Sequence, residues 1–311
     1  MSRAVMISAR NLAFLIAAIT VVREAGTVLP AWAIVGVLLA AAAAVYLQVR
    51  ARDHRGEEVS PGLLLCLFFL VFGVMAYARS MADQGGFQVH YNYVIDMDRS
   101  VFGAVPSVWL QEHLHTPGKV NALDAGASLV YFSYFVVPIV TGTLLWHASP
   151  RVFRLYLATT ILMIAFGSLT FTLLPTAPPW LAALDGHLPP IARIAPEVAE
   201  LIRPGFYERG YQAVGVNDVA AFPSYHTAQT LVVALVGWRF GRGLGVVGTM
   251  YAGAMAFSLV YLGEHYVADV IAGMAVALMA WLAATKITPL RGSYPVSVRP
   301  SVSIEVYGKA A

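Results

Sequence analysis

Apolar positions along the chain gather into runs of about 17 to 24 residues, the length that crosses a hydrocarbon core as an α-helix. Eight such spans can be drawn, at residues 4–22, 29–48, 61–79, 122–146, 151–174, 225–241, 245–262 and 266–286. Arg10 interrupts the first, which would equally suit a helix lying along the interface. No small-residue cleavage site follows this run, so it reads as a retained span and not as a removed signal. The two longest stretches between spans, 80–121 and 175–224, are not low in complexity. Pro106 and Ser107 suit the start of a short helix, and Pro178-Pro179-Trp180 forms a stiff exit with a tryptophan suited to headgroup depth.

Composition strengthens this picture. The chain has 311 residues, 59% of them hydrophobic and 12% charged, a balance that excludes an ordinary soluble domain. Basic residues give the orientation. With the 49–60 loop in the cytoplasm, 13 of the 20 Lys and Arg residues fall on that side, in short loops near span ends. The 80–121 and 175–224 segments then form a non-cytoplasmic cap. The predicted organisation is an N-terminal part over 1–60, a catalytic membrane domain over 61–286 and a cytoplasmic tail over 287–311. The fold class is an all-α polytopic membrane protein, expected in the plasma membrane with its active site facing the non-cytoplasmic side. No basic-aromatic cluster points to nucleic acid, and the single cysteine, Cys66, allows no intramolecular disulfide.

Candidate chemistry concentrates in the last third. Ala221-Phe222-Pro223-Ser224-Tyr225-His226-Thr227 and Tyr261-Leu262-Gly263-Glu264-His265-Tyr266-Val267-Ala268-Asp269 each open an apolar helix at the same membrane face. His265 and Asp269 lie four apart, on one helical face, with Gly273 one turn further, where a neighbouring helix can approach closely. A carboxylate that accepts the imidazole Nδ1–H leaves Nε2 as a nucleophile. His226, on another helix, can protonate a leaving oxygen, and Ser224 is an N-cap whose helix end would face an anion. A lone histidine at a helix end is commonly a boundary residue. Three ionisable groups converging from two helices near membrane depth argue for function.

These residues carry a resemblance. Pro223-Ser224-Tyr225-His226-Thr227 resembles the second signature of the type 2 phosphatidic acid phosphatase superfamily, and Ser258 through His265-Tyr266 to Asp269 resembles its third. The branch it looks most like contains the inositol phosphorylceramide synthases, where a Pro-Pro-Trp stretch precedes a His, His and Asp triad. The resemblance implies a six-helix core with about two extra N-terminal spans, no metal or other cofactor, and a phosphohistidine formed on His265. His226 would be the acid and Asp269 the orienting carboxylate. Its implied partners are a lipid phosphate and a hydroxyl or water acceptor. Two cations of the hydrolase signatures are missing: Pro196 stands seven residues before Arg203-Pro204, and Leu259 follows Ser258. Arg193, Arg203 and Arg209 are the candidates to balance phosphoryl charge in their place.

Two other classes fit some of the same residues. A proton-coupled transporter or channel would use His226, His265 and Asp269 as a relay and predicts polar residues continuing deeper. A haem protein would use the two histidines as axial ligands but leaves Ser224 and Asp269 unexplained.

Overall fold

The computed structural model describes residues 87–214 and 217–288. The spans expected at 4–22, 29–48 and 61–79 and the tail beyond residue 288 lie outside these residues. Within them the chain is helical, with only isolated β-bridges besides. In chain order the helices are α1 Asn92–Phe102, α2 Pro106–Leu114, α3 Ala122–Ser133, α4 Val137–Ala148, α5 Pro150–Leu173, α6 Pro179–Leu184, α7 Ile194–Ile202, α8 Phe206–Val214, α9 Tyr225–Phe240, α10 Arg242–Tyr261 and α11 Val267–Ile287.

Among the described residues three helices, α5, α10 and α11, are long and apolar enough to cross a membrane, and α3 with α4 forms a fourth, bent candidate. The 122–146 span expected as one helix is therefore broken, with a 45° bend between Ser133 and Val137. The cause is local. Pro138 has no N–H to give to the Tyr134 carbonyl, so the hydrogen-bond ladder of α3 cannot continue through it and a new helix starts there. The helix expected at 225–241 also differs: α9 has 16 residues, about 24 Å of rise, short of the hydrocarbon thickness. It is buried along most of its length, packed against α10, α11 and α5.

Helix ends follow from sequence. Asn121 accepts the amides of Leu123 and Asp124, while Asp124 accepts the Asn121 amide in return, a capping box that starts α3. Ser149 caps α5 with Pro150 at its first position. Gly241, at φ 142°, takes a backbone conformation that side chains rarely adopt and reverses the chain between α9 and α10.

Tyr156, Phe153, Phe171, Met163 and Ile164 fill the centre of the bundle. Leu144, Leu169, Val247, Met250 and Leu282 point outward, fully in keeping with a surface that meets lipid instead of water. Because α10 returns antiparallel between α9 and α11, the starts of α9 and α11 share one end. Arg239, Arg242 and Lys286 lie at the other end. The expected short helix at Pro106 is α2. The two inter-span segments meet above the shared end: His90 and Ala221 both pair their backbone with the 175–177 segment, through His90 N to Pro175 O at 2.8 Å and Ala221 N to Thr176 O at 3.3 Å. That pairing fixes the approach of the chain to Ser224.

Candidate active site

Ser224 begins α9, and its buried Oγ accepts the Thr227 amide at 3.4 Å. Its own N–H bonds the Asp269 carbonyl at 3.0 Å, tying the start of α9 directly to α11. The approach is possible because position 273 has no side chain: a Cβ there would lie 2.2 Å from the Ser224 carbonyl oxygen. His226 and His265 are thereby brought together, with Nδ1 of His226 3.4 Å from Nε2 of His265. His265 Nδ1 lies 3.2 Å from Asp269 Oδ2, which also accepts the Tyr266 amide at 2.9 Å. All three side chains are buried. The α3–α4 break sets Tyr134 against the His226 ring at 4.3 Å between centroids, with Tyr131 at 5.2 Å.

This chain of contacts assigns protons. A carboxylate only accepts, so His265 Nδ1 carries the hydrogen, and in the neutral ring Nε2 is then the bare nitrogen. The contact from His226 then needs the hydrogen on His226 Nδ1. A nucleophilic nitrogen thus touches a proton donor directly, and the two rings must part for a phosphorus atom and its leaving oxygen to enter between them.

The three candidate arginines are placed differently. Arg193 lines a polar cleft with His265, Trp180, Tyr211, Asp218 and Glu264; the cleft is about 10 Å³, room for one water. Its charge is already matched. Nε and Nη2 reach Glu264 at 2.9 and 3.2 Å, Nη2 also meets Tyr211 Oη at 3.1 Å, and the guanidinium lies 4.1 Å over Trp180. Burial works against the Arg193 charge, but the Glu264 carboxylate outweighs it and holds the proton more tightly than usual. Arg203 is exposed at the C-terminus of α7, and Arg209 is exposed with Nη2 donating to the Pro204 carbonyl at 3.1 Å. Neither lines the cleft.

Removing one partner of a buried ion pair strands the other. Glu264→Gln is therefore expected to destabilise the protein by about 3 kcal/mol, read as a lowered unfolding temperature in detergent. Arg193→Met added to Glu264→Gln should recover most of that loss. Independent, additive losses from the two substitutions would show that the pair is not coupled.

Sequence reasoning missed a set of side chains that hold the site from the cap. Asp98 on α1 accepts the amides of Val267 and Ala268 at 3.0 and 2.9 Å. On α2, Ser107 Oγ donates to the His265 carbonyl at 3.3 Å, and Gln111 Nε2 donates to the Tyr261 carbonyl at 2.8 Å. No local pattern announces them, since their partners lie more than a hundred residues away. Tyr131 and Tyr134, which pack on the His226 ring, carry no local signature either.

Apolar helices of spanning length define a helical integral membrane protein, with two facing histidines and a carboxylate at one end of the bundle. The chain belongs to the PAP2 superfamily, whose family model matches residues 92–283. It is also similar to a phosphoinositol dihydroceramide synthase from Bacteroides thetaiotaomicron, with 31% identity over 203 residues, covering 60% of this chain and 64% of that protein. The chain thus spans less than two thirds of the curated relative it matches. No solved structure matches it.

Proposed function

We propose that this protein is a membrane-embedded phosphotransferase or phosphatase acting on a phosphate-bearing lipid, with residues 61–286 as its catalytic membrane domain. The single observation that carries this reading is the run of contacts from His226 Nδ1 through His265 Nε2 and Nδ1 to Asp269 Oδ2. In the first step His265 Nε2 attacks phosphorus and the bond to the lipid oxygen breaks. His226, acting as the imidazolium, gives its Nδ1 proton to the departing oxygen and becomes neutral, and Asp269 stabilises the charge on the phosphorylated imidazole. In the second step a hydroxyl returns its proton to His226 as its oxygen takes phosphorus from His265. No step calls for a metal. Ser224 and the N-terminus of α9 would face the phosphoryl oxygens, and Arg193 would balance phosphoryl charge at the rim only by giving up part of its pairing with Glu264. Arg203 and Arg209, both exposed, would add positive charge further from the two histidines.

Transfer to a hydroxyl, such as that of inositol or a sugar, is preferred over hydrolysis. The name of the Bacteroides relative supports this, because it describes a product uniting phosphoinositol with dihydroceramide. The bias of basic residues puts the reaction at the non-cytoplasmic face, with the plasma membrane the proposed site.

The transporter reading retains one supporting observation. Gln229, one turn below His226, donates to Tyr156 Oη at 2.7 Å, and Tyr156 donates to the Pro138 carbonyl at 3.0 Å. Against it, the face of α11 beyond Asp269 is lined by Gly273, Val276, Ala277 and Ala280, which offer nothing to a proton. The haem alternative suffers from the direct contact of the two imidazoles, which leaves no gap for a macrocycle.

The test is turnover of labelled lipid phosphates by protein in detergent, with and without added inositol or other polyols. Label in a new phosphodiester supports transfer, and label in free phosphate supports hydrolysis. No turnover across the panel would sink the enzyme reading in favour of the relay. Within this assay His226→Ala should slow a lipid alkoxide leaving group about 100-fold more than an activated aryl phosphate, which needs little protonation. Equal losses on both would show that His226 is not the acid.

A further inference from the structure

The helix that carries Asp269 lacks a cap of its own. Its N-cap residue is Tyr266, whose side chain makes no capping bond. An uncapped helix leaves its first amides without partners, and inside a bundle no water is at hand to take them. Asp269 satisfies the Tyr266 amide. The next two, from Val267 and Ala268, are satisfied by the two oxygens of Asp98, a residue 169 and 170 positions earlier in the chain.

These bonds bracket the reacting pair. Ser107 holds the carbonyl of His265 itself, and Asp98 holds the two amides that separate Tyr266 from Asp269. The backbone between the imidazole and its carboxylate is thus gripped from the cap at both ends. The His265–Asp269 contact depends on that backbone, since both side chains hang from it.

We infer that Asp98 is a positioning residue: its carboxylate caps α11 from outside and sets the geometry of the His265–Asp269 pair. The inference rests on the reading of that pair as reacting groups.

Stability alone is a poor reason for this carboxylate. Asp98 is 2% exposed, and burial pushes its carboxyl up to about 6, with the charge of Asp269 adding to the rise and the two amide bonds opposing it. The folded protein therefore holds this proton more tightly than the unfolded chain does. The group's contribution to stability falls as pH rises from about 4 through 6, and above that range the ion is a burden on the fold. The carboxylate is buried at the point where it fixes two amides of the reacting helix.

The experiment compares Asp98→Ala and Asp98→Asn with Ser149→Ala, which removes a cap from α5 at the opposite end of the bundle. Three quantities are read on the full chain in detergent: kcat and KM on the lipid phosphate, unfolding temperature, and hydrogen exchange of residues 262–270. Displacement of reacting groups by about 1 Å costs on the order of 100-fold, so Asp98→Ala is expected to lower kcat about 10- to 100-fold with KM within about threefold. Asp98→Asn keeps one amide acceptor and removes the buried charge. It should recover part of kcat and unfold, at pH 8, no lower than Asp98→Ala. Ser149→Ala should keep kcat within about twofold even where its unfolding temperature drops, since it lies away from the site.

A kcat for Asp98→Ala within twofold of wild type, or a loss matched by Ser149→Ala at equal destabilisation, overturns the inference. If the wild type itself turns nothing over, the proposed reaction fails, and hydrogen exchange decides the clamp separately. Faster exchange over 262–270 in Asp98→Ala alone upholds the positioning of the pair, and unchanged exchange overturns it.

Discussion

His265→Ala is expected to lower turnover by about 10⁴-fold or more, because the proposed covalent intermediate loses the atom on which it forms. The same variant should lose any acid-labile phosphate trapped on the protein. Asp269→Asn should behave differently. Asp269 Oδ2 takes both the His265 and Tyr266 hydrogens, whereas Oδ1 is buried without a hydrogen-bond partner among the described residues. An asparagine can place its oxygen in the Oδ2 position and lose neither bond. The variant then keeps the geometry and removes only the charge that offsets the phosphorylated imidazole, an effect of about 100-fold. Asp269→Ala also loses the tautomer and the Tyr266 bond, and should approach the His265→Ala loss. Single-turnover label trapping separates the cases. Slowed but visible labelling in Asp269→Asn agrees with an electrostatic role, and full-rate labelling would remove Asp269 from the mechanism.

Gly273→Ala is expected to disable the site without touching a reacting group. The added Cβ would lie 2.2 Å from the Ser224 carbonyl oxygen and 2.6 Å from Thr227 Oγ1, and backbone cannot rotate out of the way as a side chain can. The start of α9 must move away from α11, weakening the Ser224–Asp269 backbone bond and parting His226 from His265. A shift of about 1 Å between reacting groups costs on the order of 100-fold in rate, and overpacking of this kind costs about 1–3 kcal/mol in stability. Gly253 on α10 is the natural comparison, since a Cβ there meets nothing within 4 Å among the described residues. Gly253→Ala should be neutral or slightly stabilising, as alanine favours helix over glycine. Equal behaviour of the two variants in turnover and in unfolding temperature would show that close packing at position 273 does not govern the site.

Several features could be read without coordinates. The boundaries of α5, α10 and α11 follow from apolar length and from residues such as Ser149, Pro150 and Gly241, whose chemistry is local. The pairing of His265 with Asp269 was equally legible, because four residues make just over one turn and any helix brings them to one face. The antiparallel run of α9, α10 and α11 placed His226 and His265 at the same end by counting alone. Gly273 could be recognised as a close approach, though not against which atom.

What lay beyond the sequence was everything decided between elements distant in the chain. Whether an arginine clamps a phosphate or is matched by Glu264 depends on how the 175–224 segment folds over α11, and composition makes Arg193, Arg203 and Arg209 look alike. The break between α3 and α4 has a cause in Pro138, but hydropathy averages over it and sees one span. Asp98 is the plainest case. It belongs to a short amphipathic helix with nothing to mark it, and its role comes from two amides that Tyr266 cannot cap. Local spacing determined which groups could react. Only the tertiary packing, which must satisfy every buried donor from whatever side chain comes within reach, decided what holds them in place.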